Sequence, residues 1–146
     1  MNPEKTKHIL YAEDDFDDVE LFTEAVDKVS NMTLQIAQDG RKLIESLSEL
    51  PVPDVILLDL YMPYHDGRSC IKAIRNLKRY DNVPILVYST VLVDELVNQC
   101  KLLGADYFIT KPTNFPEILR LVYDISTNCY NRLNHQYKYE MMYNVA

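Results

Sequence analysis

Val55-Ile56-Leu57-Leu58-Asp59-Leu60-Tyr61-Met62-Pro63 decides the fold. Four branched apolar residues run unbroken into an acid, between Pro53-Asp54 and Met62-Pro63. A run of that length and branching reads as a strand buried on both faces. Asp59 then falls at the carboxyl end of a central strand, the edge at which open α/β sheets bind ligands. The plainer reading is that Asp59 only begins a turn. Three other stretches weigh against it.

Working outward, the neighbouring segments alternate in kind. His8-Ile9-Leu10-Tyr11-Ala12 reads as a first strand, ending in Glu13-Asp14-Asp15-Phe16-Asp17-Asp18. The helix after it carries Val19, Phe22, Val26 and Val29 at helical spacing, with acids in the first turn where the helix dipole favours them. Met32 to Ala37 is the second strand, and Asp39-Gly40 turns into a helix carrying Leu43, Ile44, Leu47 and Leu50 inward until Pro51 and Pro53 stop it. Beyond the Asp59 strand, Gly67 opens a helix with Ile71, Ile74, Leu77 and the stem of Lys78 on its inner side.

Pro84 to Tyr88 is the fourth strand, ending in Ser89-Thr90. Asp94 and Glu95 begin a helix with Leu96, Val97, Cys100 and Leu103 on one stripe, closed by Gly104. Tyr107-Phe108-Ile109 is the fifth strand, leading to Thr110-Lys111-Pro112, and a last helix carries Phe115, Ile118, Leu119, Val122 and Ile125. Alternating strands and helices imply a doubly wound, five-stranded parallel α/β sheet with helices on both faces, because parallel strands need crossover helices. Residues 1–127 form the expected domain and 128–146 a carboxy-terminal extension. In the extension Cys129, Leu133, Tyr137 and Met141 continue the spacing of Ile125, so either the last helix runs on with an apolar stripe, whose expected use is a symmetric homodimer, or the Asn- and Tyr-rich terminus is disordered.

Composition limits the function. The chain has 146 residues, enough for one domain with a real core. A net charge of −7 argues against a nucleic-acid partner, whose phosphates need clustered Lys and Arg. No apolar run approaches the ~18 residues of a membrane span, and the amino terminus lacks a signal-peptide pattern, so no membrane partner and a cytoplasmic location are expected. Cys70, Cys100 and Cys129 are too scattered for a disulfide framework or a zinc site, and His8, His65 and His135 are equally dispersed.

Polar residues fall at four strand ends: Glu13 and Asp14, Asp59, Ser89, and Lys111. In a parallel sheet these ends share one edge. Three carboxylates there are a costly concentration of charge unless a cation compensates. Hard oxygen donors with room for water suit Mg²⁺. Lys111 supplies a point charge for a phosphoryl oxygen and Ser89 a hydroxyl donor. Cation, ammonium and donor around one carboxylate are what stabilising a transferring phosphoryl group requires, so the residues read as an aspartyl-phosphate site. Taken singly, Glu13 and Asp14 could instead cap the first helix, and Lys111 and Ser89 could be loop residues.

From Ile9 to about Ile125 the sequence resembles a receiver domain of the two-component response-regulator family. The resemblance is carried by Glu13-Asp14, Leu57 to Pro63 with Asp66-Gly67, Ser89, and Gly104-Ala105-Asp106 leading to Lys111-Pro112. It implies the flavodoxin-like strand order 2-1-3-4-5, that of the family's chemotaxis regulator. The loop before the third strand and the Asn114-Phe115 helix start resemble the stand-alone, phytochrome-associated subgroup. The implied roles follow: Asp59 takes a phosphoryl group from a histidine kinase or phosphotransfer protein. Asp14 binds Mg²⁺ directly and Glu13 through water, with Asp59 and the Tyr61 backbone carbonyl completing the protein ligands. Lys111 pairs with the phosphoryl group, and its bond to Pro112 is expected to be cis, as in many members. Ser89 and Phe108 form the switch; Phe108 stands where many members carry Tyr, so no ring hydroxyl is available.

A single-domain regulator acts through a downstream protein target, and the enzyme chemistry expected is confined to its own phosphoryl transfer and slow autodephosphorylation. The alternative is a phosphorylation-independent interaction module, which would normally lack one of Asp14, Asp59 or Lys111. A phosphatase with an aspartyl nucleophile would want a second carboxylate two positions on, where Tyr61 stands.

Overall fold

In the computed structural model, which describes residues 6–130, β1 (Lys7–Ala12), β2 (Met32–Ala37), β3 (Val55–Leu58), β4 (Ile85–Ser89) and β5 (Tyr107–Thr110) form a parallel sheet. Its order is β2-β1-β3-β4-β5, as the family resemblance implies. The crossovers are α1 (Phe16–Asp27), α2 (Gly40–Ser46), α3 (Gly67–Arg75) and α4 (Asp94–Leu103), and α5 (Phe115–Ser126) follows the last strand.

The unbroken apolar runs have a simple cause. Successive strand residues point to opposite faces, and both faces are covered. Leu10, Ile56, Leu58, Ile85, Val87 and Phe108 enter the core shared with α3 and α4. Ile9, Tyr11, Val55, Leu57, Leu86, Tyr88 and Ile109 enter the core shared with α1 and α5. Each fully buried branched side chain contributes roughly 1.5–3 kcal/mol. Alternation is therefore invisible in the sequence of β3 and β4, where every residue is buried.

Short polar side chains start the helices. Asp15, Asp39, Asp66 and Asn114 each accept a hydrogen bond from a backbone N–H in the first turn of α1, α2, α3 and α5. A cap of this kind is worth about 1 kcal/mol. At α4 the position is Val93, which provides no side-chain cap. Gly40 also packs tightly, since a Cβ there would lie 2.0 Å from the His65 carbonyl oxygen. The loop after β3 thus rests on the start of α2.

Arg75 closes the other end of the sheet. Its guanidinium donates to the carbonyls of Gly104 (3.0 Å), Tyr80 (2.7 Å) and Val83 (2.9 Å) and to Asp106 Oδ2 (2.8 Å). Gly104 ends α4 with φ 116°, a conformation that suits glycine.

Four expectations fail. Leu50 is 81% exposed, because α2 ends at Ser46 and a turn from Ser46 to Glu49 carries the chain away. Lys78 is exposed, because α3 ends at Arg75 and a 3₁₀ turn (Lys78–Tyr80) follows; Tyr80 enters the core in its place, donating to the Leu47 carbonyl at 2.9 Å. Lys111–Pro112 is trans, the cis bond among the described residues being Leu50–Pro51; the Lys111 amide keeps its ladder bond to the Ser89 carbonyl at 2.9 Å. Finally, α5 does not run on unbroken. It stops at Ser126, Asn128 has φ 59°, and the Cys129 amide turns back to the Asp124 carbonyl. Leu133, Tyr137 and Met141, on which the apolar stripe and the dimer rested, lie outside the described residues.

Candidate functional site

The sheet brings the four strand ends together as the topology requires. The Asp59 amide bonds to the Ala12 carbonyl at 3.1 Å, so β1 and β3 hold their acids side by side. Glu13, Asp14 and Asp59 each offer a carboxylate oxygen within 4.8 Å of the others. Glu13 and Asp59 are buried, and Asp14 is exposed.

Lys111 reaches in from the end of β5. Its Nζ is 2.6 Å from Glu13 Oε1 and 3.1 Å from Asp59 Oδ2. It also lies 2.7 Å from Asp18 Oδ2, a partner that sequence reasoning missed. Asp18 reads as one more first-turn acid, and nothing local joins it to a lysine on another strand. Neither Glu13 nor Asp14 caps α1; Asp15 does, accepting from the Asp18 amide at 3.1 Å. Ser89 donates to Asp59 Oδ1 at 2.8 Å and accepts from the Leu60 amide at 3.2 Å. The Tyr61 amide donates to the same Oδ1 at 3.1 Å. Asp59 is therefore held at both oxygens.

The charges sort themselves within this group. Burial pushes Glu13 up to about 8, its hydrogen bond with Asp59 adding to the rise against the pull of Lys111. Burial also opposes ionisation of Asp59, but the bond with Glu13, the Tyr61 amide, the Lys111 charge and the Ser89 hydroxyl outweigh it and hold Asp59 below the ordinary carboxylate value. Burial works against the Lys111 charge too, yet its bonds to Asp18 and Glu13 and the charge of Asp59 raise it above an ordinary lysine. The arrangement is an anionic, oriented Asp59 facing a cationic Lys111.

Phe108 is buried on β5 in register with Val87, two residues before Ser89 and so on the same sheet face, with Lys101 Nζ 5.8 Å from its ring centre. Both proposed switch residues thus border the sheet face that α4 covers. Hard carboxylate oxygens at this spacing fit a divalent cation, which would relieve their mutual repulsion. Among the described residues no helix is long and apolar enough to cross a membrane.

Comparison with known proteins agrees with this geometry. The sequence profile of the response regulator receiver domain matches residues 9–123. The two-component response regulator ORR5 of rice (Oryza sativa subsp. japonica) is 25% identical over 114 residues, covering 78% of this chain and 84% of that protein. Among solved structures, the phosphorylated cyanobacterial phytochrome response regulator RcpA is 27% identical, with a TM-score of 0.75 over 82% of this chain and 90% of that one. The Mn²⁺-bound response regulator Rcp1 is also 27% identical, with a TM-score of 0.73 over 83% of this chain and 92% of that one.

Proposed function

The chain belongs to the response regulator receiver domain family, and from that premise we propose that it is a phosphorylation-switched signalling module whose phosphoacceptor is Asp59. One observation carries the reading: Lys111 lies 3.1 Å from Asp59 while Glu13, Asp14 and Asp59 crowd oxygens within 4.8 Å. A carboxylate oxygen of Asp59 attacks the phosphorus of a phosphohistidine on a histidine kinase or phosphotransfer protein. The new O–P bond forms as the N–P bond breaks, and the freed imidazole takes up a proton.

Mg²⁺, held by Asp14, Asp59, the Tyr61 carbonyl and, through water, Glu13, would supply positive charge for the phosphoryl oxygens. Lys111 supplies the fixed charge on the other side. Once Asp59 is modified, the Ser89 hydroxyl turns from Asp59 to a phosphoryl oxygen, and Phe108 follows it in packing. Output to a downstream protein leaves through α4, β5 and α5, where Leu102 and Tyr123 are 89% and 54% exposed. A cytoplasmic site of action accompanies this reading. The test is intact-mass measurement after acetyl phosphate treatment. One added phosphoryl group is expected with Mg²⁺ and none with EDTA; a chain that gains nothing in either case refutes the proposal.

The phosphorylated state is expected to be long-lived. Hydrolysis needs a water in line with the O–P bond, and polar side chains at the mouth of the site can orient it. Tyr61 and Val91 follow Asp59 and Ser89 by two residues each, positions that flank this approach in receiver domains; they are 56% and 50% exposed, one bulky and one without a hydrogen-bonding group. Tyr61→Asn with Val91→Glu should shorten the lifetime about a hundredfold, the low end of what a positioned general base contributes. Decay of the phosphorylated mass at an unchanged rate in the double variant would sink this account.

A further inference from the structure

Tyr11 stands on β1 two residues before Glu13, fully buried, and its hydroxyl donates to Glu13 Oε1 at 3.0 Å. The ring has little freedom. Phe22 of α1 packs against it at 4.8 Å between ring centres and Tyr88 of β4 at 6.0 Å, and those two rings also meet each other at 6.0 Å. A buried tyrosine must satisfy its hydroxyl somewhere. Here the partner is the acid that faces Lys111 and Asp59.

The consequence lies in which oxygen is taken. Glu13 Oε1 already has Lys111 Nζ at 2.6 Å, so two donors occupy it. Oε2 accepts a longer bond from the Asp15 amide at 3.4 Å. The terminal torsion of a glutamate is otherwise soft, and an unheld carboxylate could swing either oxygen towards Lys111. Two donors on one oxygen remove that choice.

We propose that Tyr11 is a positioning residue of the cation site, its hydroxyl fixing Glu13 so that Oε2 is presented in one orientation to a divalent ion shared with Asp14 and Asp59. The proposal rests on the reading of these acids as a cation site. Outer groups that orient a ligand typically contribute a factor of ten to a hundred in metal affinity. Removing the hydroxyl alone keeps the ring packing and leaves Glu13 its bond to Lys111, so the fold without metal should hardly change.

The test titrates the full chain with Mn²⁺, following free Mn²⁺ by electron paramagnetic resonance, in wild type, Tyr11→Phe, Glu13→Ala and the double variant. Thermal unfolding in EDTA is recorded for each. Tyr11→Phe should weaken Mn²⁺ binding about tenfold or more with its unfolding temperature unchanged. In the Glu13→Ala background the same substitution should have no effect on binding, because Tyr11 then has nothing to hold. If Tyr11→Phe does lose thermal stability, the comparison of the two backgrounds still decides, since both carry that loss. Binding equal to wild type in Tyr11→Phe, or equal weakening in both backgrounds, overturns the proposal. A wild-type chain that binds no Mn²⁺, or one whose binding survives Asp14→Asn, would instead remove the cation site itself.

Discussion

Asp59→Asn is expected to carry no phosphoryl group under acetyl phosphate treatment that labels the wild type, a loss of the whole signal. The substitution changes almost nothing but nucleophilicity. An amide of the same size can still accept from Ser89 and from the Tyr61 amide, which hold Oδ1 at 2.8 and 3.1 Å. Lys111 keeps Glu13 and Asp18 as partners, so the lysine is not stranded. The amide nitrogen, however, has no free pair to offer phosphorus, and its oxygen is a far weaker nucleophile than a carboxylate. Asp14 is the exposed acid of the same cluster and so the competing candidate. Intact-mass spectra with peptide mapping separate the two, and labelling of Asp59→Asn at the wild-type level would move the phosphoacceptor elsewhere.

Lys111→Met should slow phosphorylation by acetyl phosphate about 10²–10³-fold, the usual cost of removing one preorganised charge from a transferring group. Its effect on the cation should run the other way. The ammonium sits 2.6 Å from Glu13 and 3.1 Å from Asp59, so it competes with a divalent ion for the same carboxylates. Mn²⁺ should therefore bind Lys111→Met at least as tightly as wild type. The variant should still fold, because Glu13, already pushed up to about 8 by burial, can take a proton when its cationic partner is lost. Rapid-mixing phosphorylation kinetics beside a Mn²⁺ titration check both halves. A variant that labels at the wild-type rate would deny Lys111 its role, and one that loses Mn²⁺ as well would show that the lysine only holds the site together.

The sheet and most of the site were legible because both depend on strand ends. An apolar run closed by a polar residue fixes where β3, β4 and β5 stop, and parallel topology does the rest. Ser89 and Lys111 could be placed beside Asp59 without any knowledge of side-chain packing. What escaped depends on contacts with no sequence period. Asp18 meets Lys111 across the top of the sheet, and Tyr11 looks like one more core residue of a buried strand. The 3₁₀ turn at Lys78–Tyr80 is too short to show periodicity, so Tyr80 could not be told from a surface tyrosine. Leu50 looked helical because spacing alone extends a stripe, whereas the backbone had already turned at Ser46.

The Arg75 clamp makes α4 a lever with its fulcrum at one end. Its carboxyl end is tied through the Gly104 carbonyl to the same guanidinium that grips Tyr80, Val83 and Asp106. Its amino end starts at Val93 without the side-chain cap that the other α-helices have, a few residues beyond Ser89. A small rotation about Gly104 therefore sweeps the Asp94 end through the largest arc and leaves the Leu103 end almost still. The displacement is graded along the helix, greatest beside the Ser89 hydroxyl that is bonded to Asp59 and least where the fold is locked.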